Sequence, residues 1–360
     1  MGGSAAQPRL NSLTGLRFFA AVAVFLHHAT AYQASPAWAG FITNAGDNGV
    51  SFFFILSGFV LAWSARDGDT VGRFYQRRAA RILPLYWLAW VPGAAYAVVV
   101  DHAKIGDLVP SLFLVQSWFP DKDIHFGANS VGWSLSTEMF FYFTFPLLLL
   151  LIIRFRTPAL VAALAAAVVM IFAIPMTLQP TMPAGVEYWG IYLFPITRGF
   201  EFTAGVTLAL LLRRGVRVPV PVTVAGALAV GVSVVANCLP LYLMLVPATV
   251  IPFLLLLASV ADADMRGKKT LLAWKPFVKL GEWSFAFYLV HLIVLRVVIA
   301  VNERTLEMPW WATSLVGFAL GTALAAVLYE YVERPLESRL RPKHITALAP
   351  RHAKASVPAS

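Results

Sequence analysis

One cysteine in 360 residues, Cys238, excludes an internal disulfide and a cysteine-built metal cluster, so neither kind of staple holds this fold. Charge is scarce too. Asp, Glu, Lys and Arg make up 13% of the chain, about half of what an ordinary soluble domain carries, and that excludes a water-solvated globule. The scarcity is uneven, because 28 Lys and Arg stand against 18 Asp and Glu for a formal net charge of +10. A nucleic-acid partner would need those cations gathered on one solvated face. They are instead scattered between apolar runs, so nucleic acid is set aside.

What the chain has in abundance is apolar surface: 59% of residues are hydrophobic and the mean hydropathy is +0.72. A helix that crosses a bilayer needs about 20 such residues. Apolar runs bounded by turn and charge signals predict spans near 15–33, 48–64, 83–100, 133–153, 158–175, 192–212, 218–237, 240–260, 280–300 and 311–332. The expected fold is therefore all-α, a polytopic bundle of about ten transmembrane helices. One membrane domain covers residues 1–341, and a flexible cytoplasmic tail covers 342–360, rich in Ala, Pro, Ser and basic residues. Lys and Arg fall in alternate connections, with Arg66 to Arg81 after the second span and Arg266 to Lys279 after the eighth. The other connections hold only Lys104, Lys122 and Arg304. Positive residues stay inside, so both termini are expected in the cytoplasm. A competing reading takes residues 9–39 as a secretory signal, but Arg17, His27 and His28 are poor residues for its apolar core.

Arg17, Arg198 and Arg296 lie inside predicted spans and need a reason. Eleven steps lead from Arg17 to His28, which turns a helix by about 1100°, only about 20° from three whole turns. The two side chains therefore share a face about 16 Å apart; His27 points about 80° aside. Glu138 opens the fourth span, Arg198 and Glu201 the sixth, and His291 lies midway along the ninth. Buried singly these groups would be costly, and a shared polar cavity resolves the cost. A structural network of neutralising pairs is the alternative. In the basic segment Arg73 to Arg81, Arg78 and Arg81 form a fork on one helical face, suited to phosphates or, more simply, to anionic lipid.

In order along the chain, these segments resemble the acyltransferase-3 family of integral membrane O-acyltransferases over roughly residues 10–340. The resemblance rests on Arg17 with His28, Ser51-Phe52-Phe53-Phe54-Ile55-Leu56-Ser57-Gly58-Phe59, Arg78-Ala79-Ala80-Arg81, and Trp133-Ser134-Leu135-Ser136-Thr137-Glu138. Later landmarks are Arg198-Gly199-Phe200-Glu201, Gly281 through His291, and Tyr331-Val332-Glu333-Arg334-Pro335. Each motif is short, and seven in order are specific.

The resemblance implies transfer of an acyl group, commonly acetyl from acetyl-CoA, to a hydroxyl of a carbohydrate or a glycosylated or polyketide-like small molecule. Acyl-CoA would be a cosubstrate, with no metal and no tightly bound cofactor. His28 would act as general base and Glu138 would orient or polarise it. Arg17, Arg78 and Arg81 would bind the donor, and Ser57, Trp133, Ser134, Arg198, Glu201 and His291 would support the polar cavity. The expected location is the cell membrane, the bacterial inner membrane in particular. A transporter with a midplane polar site is the rival from another class; the chain has no inverted repeat to support it.

Overall fold

The computed structural model describes residues 9–66, 68–183 and 185–340, so the expected tail at 342–360 lies outside the described residues. Within them the protein is helical throughout, with no strand. Helix α1 (Asn11–Ala31) is followed by a short α2 (Ala37–Asn44), which passes through a 3₁₀ turn into α3 (Gly49–Ser64). Helix α4 (Val71–Val99) starts at Thr70, whose hydroxyl oxygen accepts from the Arg73 backbone N–H at 3.3 Å, a side-chain N-cap. The basic segment Arg73 to Arg81 is thus the first turns of the third span, extended well before residue 83.

Two short helices, α5 (Ile105–Leu112) and α6 (Lys122–His125), precede α7 (Trp133–Ile152) and α8 (Thr157–Leu178). A π-helical turn, Trp189–Leu193, leads into α9 (Pro195–Arg213). Then come α10 (Val222–Ala236), the single turn α11 (Leu241–Met244), α12 (Pro247–Met265), α13 (Lys275–Thr305), α14 (Trp310–Leu328) and α15 (Arg334–Leu340), the last two joined by a π-helical turn, Tyr329–Glu333.

Among the described residues, eight helical segments are long and apolar enough to cross a bilayer. The other two predicted spans fall on the helices α9 and α10, which do not reach that measure. Arg198 and Glu201 depress the hydropathy of α9, and α10, at 15 residues, is shorter than the roughly 20 that a bilayer asks for. Helix α9 can carry its charges because it runs through the middle of the bundle, with every residue from Ala204 to Leu212 buried.

Lipid gives helices no hydrophobic reason to associate, so close packing must do it, and small residues permit the closest approach. Two helix pairs use this device. Gly58 of α3 meets the backbone of Phe202 and Gly205 of α9 meets that of Ile55, each so closely that a methyl group would overlap the opposing carbonyl oxygen. Gly281 of α13 meets Thr14 of α1 in the same way. The first contact seats Ser57 and the second sets α1, with Arg17 and His28, against α13, with His291.

Candidate active site

A cavity of about 120 Å³ opens where α1, α3, α4, α7 and α13 converge. Its polar wall is Arg17, Ser57, Arg81, Ser134, Glu138 and Tyr142, and its apolar wall includes Phe53, Phe54 and Phe285. Pockets that enclose a whole small molecule run from about 300 Å³ upward, so this space suits one end of a longer ligand.

Glu138 anchors the polar wall. Its Oε1 accepts from the Ser57 hydroxyl at 2.7 Å and from the Tyr142 hydroxyl at 2.5 Å, which leaves Oε2 without a hydrogen bond among the described residues. Tyr142 follows Glu138 by four residues, one helical turn, so the two are neighbours on α7. That spacing is readable in the sequence, yet Tyr142 was not among the expected site residues.

The three candidate donor-binding arginines are disposed differently. Arg17 and Arg81 line the cavity. Arg81 has a loose ion pair with Glu337 at 3.9 Å, while Arg17 has no ion pair within 4 Å among the described residues. Arg78 lies outside the cavity lining, over the Tyr142 ring at 6.0 Å, with its Nε buried and without a hydrogen-bond partner. Near Arg17 and Arg81 sits Glu333, 4% exposed, whereas Tyr331 two residues earlier is 78% exposed. The π-helical turn that contains both residues rotates the carboxylate inward, and such turns recur at functional sites. The Tyr331 to Pro335 motif was its only sequence signal.

His28 pairs with His291. The His28 Nδ1 and His291 Nε2 atoms are 3.1 Å apart, and the roles follow from what His291 does at its other nitrogen. His291 Nδ1 lies 2.8 Å from the Tyr288 carbonyl oxygen, which can only accept, so Nδ1 carries the hydrogen. In the neutral ring Nε2 is then an acceptor, and His28 donates to it through Nδ1. His28 Nε2 is left with a free lone pair and no hydrogen-bond partner among the described residues. The expected relay from Glu138 to His28 is not among the hydrogen bonds of either side chain; the imidazole is oriented by another imidazole, backed by a helix carbonyl.

Tyr288 joins the two parts. Its ring closes the cavity, its hydroxyl meets Ser134 Oγ at 2.7 Å, and its carbonyl holds His291. Both hydroxyls also lie within reach of the Val131 carbonyl, Ser134 Oγ at 3.0 Å and the Tyr288 hydroxyl at 3.3 Å, so one of them donates to that carbonyl while the other donates between the two hydroxyls.

The remaining expected residues are drawn elsewhere. Arg198 and Glu201 pair with each other at 2.9 Å, 1% and 0% exposed. The guanidinium also donates to Ser51 Oγ at 3.0 Å and lies between the Phe54 and Tyr192 rings. They clamp α9 to α3 rather than line the cavity, because residues three apart on one helix neutralise each other more readily than they reach a distant chamber. Trp133 packs edge-on against Phe54 and tilts over Tyr192, which fixes the start of α7 without facing the space. Arg296 pairs with Asp101 at 2.5 Å, at the end of the bundle opposite Arg81.

The acyltransferase-3 profile, described as an acyltransferase domain, matches residues 10–330. The chain is 38% identical to the acyltransferase MdmB of Streptomyces mycarofaciens, over 97% of each protein. It is 30% identical to the exopolysaccharide production protein ExoZ of Rhizobium meliloti, over 84% of this chain and 93% of the relative. It is also 25% identical to the peptidoglycan O-acetyltransferase OatA of Listeria monocytogenes, over 90% of this chain and 55% of that longer protein. No solved structure matches. A helical membrane bundle whose profile match runs almost from end to end leaves one conclusion: the chain belongs to the acyltransferase-3 family and is a multi-pass membrane acyltransferase.

Proposed function

We propose that this acyltransferase moves an acyl group, acetyl in particular, from acyl-CoA to a hydroxyl of a carbohydrate or of a glycosylated or polyketide-like small molecule. The observation that carries the reading is the unengaged Nε2 of His28, held in the basic tautomer by His291. A hydroxyl nucleophile needs such a base, because an alcohol is a weak nucleophile until its proton has somewhere to go. In the reaction, the acceptor hydroxyl gives its proton to His28 Nε2 as its oxygen adds to the thioester carbonyl. The C–S bond then breaks, and His28 returns the proton to the leaving thiolate. The products are an ester and coenzyme A.

Arg17 and Arg81 are the donor residues in this scheme, with Arg78 behind them, because guanidinium forks suit phosphate oxygens. The nucleotide stays at the basic end, and the acyl end of the pantetheine arm reaches inward. A cavity of about 120 Å³ fits an acyl terminus and excludes the nucleotide. Glu138, with Ser57 and Tyr142, gives that space a hydrogen-bonded wall. The relatives named for peptidoglycan O-acetylation and exopolysaccharide production favour a carbohydrate acceptor. The charge alternation favours cytoplasmic termini, with the basic loops on the side where acyl-CoA is made, in a bacterial inner membrane.

The test is coenzyme A release by purified protein in detergent, supplied with acetyl-CoA and candidate acceptors. Acceptor-dependent release that disappears in His28→Ala, with folding intact, is expected. Concentrative uptake of the acceptor into liposomes without thiol release would replace the enzyme reading with transport.

A further inference from the structure

On α13 the residues that face the donor cavity are Ser284, Phe285 and Tyr288. From the residue after His291 onward, the same helix presents Leu292, Ile293 and Arg296 to a second space, a cleft of about 10 Å³ shared with Tyr96, Asn129 and Ser130. The chain around the start of α7 shows the same division in reverse order: Asn129 and Ser130, ahead of α7, face the second space, and Ser134 and Glu138, within it, face the first. The His28–His291 pair lies between the two along α13. Tyr32, stacked obliquely 6.0 Å from His28 and carrying the Arg296 guanidinium at 5.7 Å, connects the second space to the base.

Asn129 marks this cleft as a ligand site. It is 5% exposed, and its Nδ2 donates to the Leu289 carbonyl at 2.7 Å, which fixes the amide orientation because a carbonyl cannot donate. Its Oδ1 is then a buried acceptor with no partner, a costly arrangement unless a donor arrives. The cleft has the size of about one water molecule or hydroxyl group. Around its mouth the groups are a carboxylate, a guanidinium and two phenol rings: Asp101 paired with Arg296, Tyr96 under the guanidinium at 4.3 Å, and Tyr32, 40% exposed.

We propose that this cleft is the acceptor subsite, where Asn129 Oδ1 receives one hydroxyl of a polyhydroxylated, sugar-like ring. The body of the ring stays outside, where Tyr32 and Tyr96 offer apolar edges and the Asp101–Arg296 pair offers acceptors and donors for neighbouring hydroxyls. Asp101 follows Arg81 by twenty residues along or just beyond α4, a rise of about 30 Å, close to the thickness of the hydrocarbon core. Donor and acceptor therefore approach His28 from opposite ends of the bundle. The assignment rests on the acyl-transfer reading of His28.

The experiment places a thiol in the cleft by Ser130→Cys in a Cys238→Ser chain and follows its modification by a membrane-impermeant thiol reagent added to intact cells. Methyl glucoside is the probe and butanol the apolar control. Modification from outside is expected, slowed about threefold at twice the dissociation constant of the glucoside by simple competition and unaffected by butanol. Arg296→Ala should remove the protection; Asp101→Asn, which keeps the side-chain size, serves where the alanine variant folds poorly. Absence of protection, equal protection by butanol, or modification only after the cells are opened would overturn the proposal. Protection without any coenzyme A release supports the cleft and removes only the reaction assigned to His28.

Discussion

His291 touches His28 rather than the cavity, so its part in the chemistry is to position. Replacing it with Phe keeps a ring but removes the acceptor for His28 Nδ1–H, and the imidazole becomes free to place its hydrogen on Nε2. Turnover should fall by about 10²-fold or more, with the acetyl-CoA KM unchanged; His291→Gln, whose amide oxygen accepts a hydrogen bond, should recover part of the rate. Arg81→Ala should behave in the opposite manner, raising the acetyl-CoA KM about tenfold, as the loss of one charge-assisted phosphate contact implies, with kcat little changed. Steady-state kinetics on the detergent-purified variants separate the two. Arg17, His28, Glu138 and Arg81 could be singled out from sequence because each is an ionisable residue in or beside an apolar run. The pairing of His28 with His291 could not be, since helical periodicity relates residues within one helix and says nothing of contacts between helices 263 positions apart. Glu201 misled for a related reason. Its burial cost is met three residues away by Arg198, a local solution that looks the same in sequence as a contribution to a shared chamber.

Among the helices, the α3–α9 contact has little tolerance. Gly205→Ala would drive a methyl group into the Ile55 carbonyl, backbone against backbone, where no side chain can swing aside. A loss of about 1–3 kcal/mol is expected from overpacking, read as a lowered thermal midpoint of the solubilised protein. Glu201→Gln should cost about 3–5 kcal/mol, because the Arg198 charge is left buried without its counter-charge. Replacing both with Arg198→Met and Glu201→Leu should return most of that stability while coenzyme A release persists, as a clamp requires and a chamber wall does not allow. The location of the helices followed from apolar runs, but their true ends did not. Thr70 caps α4 far ahead of the apolar stretch, so a polar, arginine-rich turn belongs to the same rod as the span it precedes.

For the molecule as a whole, the charge alternation carries an orientation. Reporter enzymes fused after Leu340 and inserted beside Asp101 should be active on opposite sides of the membrane, the first in the cytoplasm; matching signals would reverse the assignment. Composition alone excluded a soluble protein, and the ordered motifs pointed to the family. The tilt of helix against helix was hidden because it depends on glycines meeting carbonyls from remote stretches. Those meetings have an effect on diversification. Main chain, through Gly281 against α1 and through Gly58 and Gly205 between α3 and α9, sets the spacing of the rods that carry His28, His291 and Ser57, while Phe53 and Phe285 merely upholster the chamber. Phe53→Ala or Phe285→Ala should therefore admit propionyl or butyryl donors, seen as longer esters by mass spectrometry, with the imidazoles still in register. Such an architecture lets a lineage change its cargo without rebuilding its engine.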